Sequence, residues 1–101
     1  MMTTNKKKNE TLPTATLRVP RTRDYLTWSF GSAEVAGKTY RVQVKWFEEP
    51  SRFGIRRGRV SKLYVAAAGE GAVLDYDRGW ITRASTAEAK AILKAILKEF
   101  N

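Results

Sequence analysis

The amino-acid sequence predicts a two-layer α+β domain, an antiparallel meander of three or four strands packed on one C-terminal helix, behind a flexible basic N-terminal arm. Three observations carry this reading. From Thr39 to Phe47, Tyr40, Val42, Val44 and Trp46 alternate with Arg41, Gln43 and Lys45, the period-two pattern of a strand covered on one face only. Near the C-terminus, Ala89, Ile92, Leu93, Ile96, Leu97 and Phe100 recur at the spacing of a single helical stripe. Residues 1 to 23, by contrast, have only Leu12, Leu17 and Val19 as sizeable aliphatics, too little apolar surface to offset the entropy of ordering.

The arm is also where the charge gathers: it holds six cations, among them Lys6, Lys7 and Lys8, against one anion. The folded domain, residues 24–101, opens where the pattern turns to period two. Leu26, Trp28 and Phe30 fall on one side and Tyr25, Thr27 and Ser29 on the other, as a half-buried strand requires. Gly31-Ser32 reads as a bulge and Ala36-Gly37 as a tight turn into the strand of residues 39–47. Glu48-Glu49-Pro50 ends that strand, because proline cannot donate to a ladder and paired carboxylates prefer water. After a loop to Gly58, residues 59–67 return as a strand, Gly69-Glu70-Gly71 reverses it, and residues 72–76 pair back as a hairpin. Asp77-Arg78-Gly79-Trp80 then leads to the helix, whose start is marked by the capping-box spacing of Ser85 and Glu88. Lys90, Lys94 and Lys98 run beside its apolar stripe and read as a solvated face.

Composition narrows the chemistry. The 101 residues carry 19 Lys plus Arg against 10 Asp plus Glu, a net charge of +9 that favours polyanions or acidic protein surfaces. Cysteine and histidine are both absent, which excludes disulfide frameworks, zinc clusters, Ser-His-Asp triads, Cys-His dyads and imidazole acid–base work. No catalytic residue, metal ligand or cofactor is expected. The basic start is followed by no apolar run, and no stretch approaches the ~20 apolar residues of a membrane helix, so a cytoplasmic protein without membrane contact is expected.

Beside the arm, whose Lys6, Lys7 and Lys8 are expected to bind nucleic acid or a partner, two candidate binding surfaces emerge in the folded domain. The segment from Arg52 to Lys62 holds Arg52, Arg56, Arg57, Arg59 and Lys62 with no anion, together with Phe53 and two glycines. Arginines at this density bind phosphates in bidentate fashion, and glycines let backbone amides approach an anion. The plainer alternative is a solvated loop whose arginines pair with Glu48, Glu49 or Asp75. The second surface is the outward row Arg41, Gln43 and Lys45, which can present hydrogen-bonding groups to base edges, although every one-sided strand carries a polar row. Asp75 and Asp77, with Glu48 or Glu49, have the makings of a Mg²⁺ site, with a structural ion pair to Arg78 as the alternative. Trp28, Tyr40, Trp46, Phe47, Tyr64, Tyr76 and Trp80 can stack bases, but most fall on the inward phase and read as core.

Residues 37 to about 100 carry a connected set of motifs: Gly37-Lys38-Thr39-Tyr40, Val44-Lys45-Trp46-Phe47-Glu48-Glu49-Pro50-Ser51-Arg52-Phe53-Gly54-Ile55, Gly58-Arg59-Val60-Ser61-Lys62-Leu63 and Tyr76-Asp77-Arg78-Gly79-Trp80. In these the chain resembles a family of small uncharacterised proteins carried by bacteriophages and mobile elements. The resemblance implies genetic context and no activity. A meander followed by one helix is also similar in architecture to the arm-site DNA-binding domains of phage-type integrases, whose exposed sheet face enters the major groove, which adds weight to Arg41, Gln43 and Lys45. The expectation is a non-enzymatic binding protein of a phage or mobile element that engages nucleic acid, or a host nucleoprotein complex, through its basic surfaces. The alternative is an inhibitor of a bacterial defence system, anti-CRISPR-like, that binds a host defence protein. A metal-dependent nuclease at Asp75 and Asp77 is the third reading.

Overall fold

A computed structural model describes residues 12–20 and 28–101. Six strands and one helix follow one another as β1 (Ala15–Arg18), β2 (Ser29–Val35), β3 (Lys38–Trp46), β4 (Val60–Ala67), β5 (Ala72–Asp77), β6 (Trp80–Thr82) and α1 (Ala87–Phe100), with a short 3₁₀ turn at Ile55–Arg57. Every strand pairs antiparallel with its neighbour in chain order, so the sheet is one continuous meander from β1 to β6. The helix packs on one side of it, against β1, β2 and β5. The opposite side has no helix of the described residues on it.

The α+β class, the antiparallel meander and the single helix agree with the sequence. The strand number is a correction: six rather than three or four. Trp80–Thr82, expected to be a connection, is β6, and Ala15–Arg18, expected to belong to the flexible arm, is the edge strand β1. Ala15, Leu17 and Val19 pack against the core from this edge. Three small or aliphatic residues are too few to show a strand in a sequence; they suffice here because β2 supplies a waiting edge, with Leu17 opposite Ala33 and Arg18 opposite Ser32. Lys6, Lys7 and Lys8, and Tyr25 to Thr27 of the expected first strand, lie outside the described residues.

The edge strand makes a measurable expectation. A chain starting at residue 24 should be less stable than one starting at residue 12 by about 1–3 kcal/mol, the order of one aliphatic side chain removed from water. Near-equal melting midpoints for the two would show that β1 adds nothing.

The core lies between the helix and the inner sheet face. Val42, Val44, Leu63, Val65 and Leu74 from the sheet and Ile92, Ile96 and Phe100 from the helix are at most 1% exposed and form one cluster. Two bulges explain why β4 and β5 do not alternate cleanly. In β4, Trp46 lies opposite Val60 but Lys45 lies opposite Lys62, so Ser61 is an extra residue; Val60 and Leu63, three apart, both turn inward. In β5, Val65 faces Leu74 and Ala66 faces Ala72, which leaves Val73 as the extra residue. Ala36 and Gly37 have φ of 51° and 79°, both left-handed, and close the β2–β3 hairpin as expected.

Two local expectations are revised. Thr86, not Ser85, caps the helix, its hydroxyl accepting from the Ala89 amide at 3.0 Å. The Ser85–Glu88 spacing therefore sits one residue early, because the hydroxyl that reaches the third amide of the helix is the one that caps it. Gly31-Ser32 is not a bulge: the register from Ser29–Val44 to Val35–Lys38 is continuous. Glycine is needed at position 31 because a Cβ there would run into the backbone of Arg18 and Val19 where the edge strand ends.

Candidate nucleic-acid interface

The face of the sheet opposite the helix, which no helix or strand of the described residues covers, is built by cross-strand register. One row runs Phe30 (β2), Gln43 (β3), Tyr64 (β4), Asp75 (β5) and Thr82 (β6), each residue directly opposite the next. The row toward one side holds Arg18, Ser32, Arg41 and Ala66, and the row toward the other holds Lys45, Lys62 and Asp77. Two aromatic side chains thus stand in the middle of the face, with cations in the rows on both sides. Phe30 is 60% exposed and Tyr64 is 36% exposed, large apolar surfaces that the fold leaves in water.

The phase of β2 is what places Phe30 there. The apolar side expected for this strand carries Phe30, yet the buried residues are Ser29, Ala33 and Val35. Small residues face inward because the helix packs against β2. The register counted back from the Ala36-Gly37 turn shows the same thing: Val35 opposite Lys38 requires Phe30 opposite Gln43, on the polar face. Tyr64, expected with the core aromatics, lies outward for a similar reason: after the bulge at Ser61 the inward phase belongs to Leu63 and Val65.

Arg41, Gln43 and Lys45 are brought together on this face as expected, and Lys62 joins them. Lys45 and Lys62 sit directly opposite each other, an arrangement that is unfavourable unless an anion lies nearby. Asp77 answers it in part, 3.7 Å from the Lys62 ammonium. Beside Tyr64 the surface sinks into a depression of about 190 Å³ bounded by Arg41, Gln43 and Ala66, the alanine leaving room where a larger side chain would fill it. Of the acidic residues, Glu34 lies near the β2–β3 turn and Asp77 opposite Lys62, while Asp75 stands in the central row opposite Tyr64 and Glu70 lines the depression. Among the described residues no three acidic side chains converge, so Asp75 and Asp77 are not joined by Glu48 or Glu49. On the rim, the Lys38 ammonium donates to Glu70 at 3.0 Å, and this hydrogen bond raises the lysine pKa above its ordinary value.

The Arg52 to Lys62 segment does not act as one patch. Lys62 belongs to the sheet face. Arg59 is engaged with the fold: its guanidinium lies 5.0 Å from the Trp46 ring and its Nε donates to the Phe47 carbonyl at 3.2 Å. Arg52 lies 5.0 Å from the ring of the exposed Phe53, and Arg56 and Arg57 are exposed. None of Arg52, Arg56 and Arg57 forms an ion pair among the described residues, so the alternative pairing with Glu48, Glu49 or Asp75 is not formed.

This loop is pinned rather than loosely solvated. The Asn101 side chain accepts from the amides of Arg59 and Val60 at 2.8 and 3.0 Å and donates to the Ile55 carbonyl at 3.1 Å. The Tyr76 hydroxyl donates to the Phe53 carbonyl at 2.8 Å. The glycine amides are used internally, Gly54 to Ser51 and Gly58 to Ile55, so the expected amide cradle for an anion is not formed by them. Arg56 and Arg57 sit at φ of 54° and 58°, left-handed positions that cost a non-glycine residue roughly 1–2 kcal/mol each. Glycine would take that conformation freely.

No helix of the described residues is long and apolar enough to cross a membrane. Comparison with curated proteins and with solved structures returns no significant match. A family model does match, over residues 27–101, well over half of the chain and every strand of the sheet except β1. The chain therefore belongs to the family described as a domain of unknown function, DUF7678.

Proposed function

We propose that this chain is a non-enzymatic nucleic-acid-binding protein of a phage or mobile element that holds a single-stranded segment across its open sheet face. The observation that carries the reading is the row Phe30–Gln43–Tyr64, two exposed aromatics flanking a hydrogen-bonding amide, with Arg18 and Arg41 on one side and Lys45 and Lys62 on the other. Exposed rings stack unpaired bases whatever their identity, and flanking cations meet the phosphates. Arg41 and Gln43 beside the Tyr64 depression can address the edge of a stacked base.

A single strand fits better than a duplex. Six strands at ~4.8 Å spacing make a sheet about 24 Å wide, while the major groove is about 12 Å wide. The analogy with three-stranded integrase domains, which enter that groove, does not extend to a face of this width. The alternative reading, an inhibitor that binds a host defence protein, is favoured by a different feature: the pinned loop with Arg52, exposed Phe53, Arg56 and Arg57 is a rigid aromatic and arginine projection of the kind that anchors protein interfaces.

Fluorescence anisotropy with oligothymidylate, oligouridylate and a duplex across a salt series tests both. Single strands should bind more tightly than the duplex. The combined variant Arg41→Ala, Lys45→Ala, Lys62→Ala should flatten the dependence of log affinity on log salt by up to ~2, at ~0.7 for each single-strand phosphate that is no longer neutralised. Equal affinity for duplex and single strand, or an unchanged slope, would refute the sheet-face reading. No nucleic-acid binding together with capture of an acidic protein that Arg56→Ala and Arg57→Ala abolish would establish the inhibitor.

A further inference from the structure

A second cationic site lies away from the open face. The 3₁₀ turn, the segment after β6 and the first turns of α1 enclose a cleft of about 420 Å³, within the range of about 300–1,000 Å³ usual for small-ligand sites. Its polar lining is Arg56, Arg83 and Lys90, three cations with no acidic residue among the lining side chains. None of the three has an ion-pair partner among the described residues. Its apolar lining is the half-buried Trp80 and Ala84 over a floor of Ile55 and Leu93, which are only 1% and 8% exposed.

The walls are fixed in place. Trp80 stands edge-on to Tyr76, ring centres 5.0 Å apart at 74°, and the Tyr76 hydroxyl holds the Phe53 carbonyl of the loop. The Arg83 guanidinium lies 5.9 Å from the Trp80 ring, so the indole orients this cation at the cleft wall. Arg56 enters from a left-handed backbone position on a turn that Asn101 ties down through the Ile55 carbonyl. Three cations without ion-pair partners among the described residues, on the walls of one cleft beside an indole, suit a dianion attached to a flat ring.

The geometry points to a nucleotide phosphate site: Arg56, Arg83 and Lys90 take the phosphate monoester, and the half-buried Trp80 takes the base beside a floor closed by Ile55 and Leu93. Arginine supplies paired N–H donors matched to phosphate oxygens, and Lys90, in the second turn of the helix, adds a mobile point charge. The same chemistry comes from a free nucleoside monophosphate or from the phosphorylated end of a strand. This site is independent of the sheet-face reading, since none of its residues lies in the Phe30–Gln43–Tyr64 row.

Calorimetric titration of the full chain with adenosine 5′-monophosphate and adenosine, and anisotropy with 5′-phosphorylated and 5′-hydroxyl oligothymidylate, test the proposal. The phosphorylated member of at least one pair should bind tenfold or more tightly than its unphosphorylated counterpart. A larger preference within the oligonucleotide pair identifies a strand end as the occupant, and a larger preference within the mononucleotide pair identifies the free nucleotide. Arg83→Ala with Lys90→Ala, both at exposed positions, should remove that preference while leaving the melting midpoint and the binding of 5′-hydroxyl oligothymidylate unchanged. Arg83→Gln with Lys90→Gln serves if the alanine pair folds poorly. No preference for phosphate in either pair, or a preference that survives both double variants, overturns the site. Failure of 5′-hydroxyl oligothymidylate to bind the unmodified chain bears on the sheet face alone.

Discussion

Replacing Phe30 and Tyr64 together with alanine should abolish most single-strand binding while leaving the protein folded. Base–aromatic stacking contributes ~1–3 kcal/mol per base, so losing two platforms should weaken affinity by about 30-fold or more. Both rings are already exposed, at 60% and 36%, and their removal empties no core site. Cross-strand pairs on a sheet face contribute only ~0.2–1 kcal/mol each, so the stability loss should stay below about 2 kcal/mol. Anisotropy with oligothymidylate and a denaturant melt on the same preparation separate the two effects. Binding that persists within threefold would remove the aromatic row from the function. The conservative pair Phe30→Tyr and Tyr64→Phe should retain most of the affinity, because each keeps a ring to stack on.

Ile96→Ala should give a large loss of stability, matched on the helix by Ile92, which is equally buried. Ile96 has no exposed surface and lies in the cluster that joins the helix to Val42, Val44, Leu63 and Val65. Truncating a buried isoleucine costs ~2–5 kcal/mol, through lost transfer energy and the cavity left behind. For a domain of about 100 residues each kcal/mol moves the melting midpoint by about 4–8 °C, so a shift of 10 °C or more is expected. Lys94→Ala, one helical position on the exposed side, should change stability by no more than about 0.5 kcal/mol. A loss below that figure for Ile96→Ala would mean that the helix does not cover the sheet as described.

The elements with strong internal periodicity are legible in the chain itself. The strand of residues 38–46 alternates without interruption, and the helix of residues 87–100 repeats its stripe over nearly four turns. In both, the side chains that meet the core are set by the backbone period of the element alone. The polar row Arg41, Gln43 and Lys45 is legible for the same reason, because whatever a one-sided strand does not bury it must present.

The remaining parts of the candidate site depend on partners that local pattern does not specify. Ala15–Arg18 is a strand only because β2 offers it an edge and the core accepts Leu17. Phe30 faces water because its strand takes its phase from a hairpin turn five residues away and from a helix that needs small residues beneath it. One extra residue at Ser61 reverses the alternation of β4 and sends Tyr64 outward. Arg52, Arg56, Arg57, Arg59 and Lys62, contiguous in charge along the chain, divide among the loop, the cleft, the Trp46 ring and the sheet face, because a bulge and a left-handed turn point neighbouring residues in different directions. Period, charge and composition are properties of residues near one another in sequence, and they foretold the layers and the sign of the surface. Register, bulges and the packing of small residues under a helix are settled between segments far apart in sequence, and only the assembled fold could say which aromatics and which cations share a face.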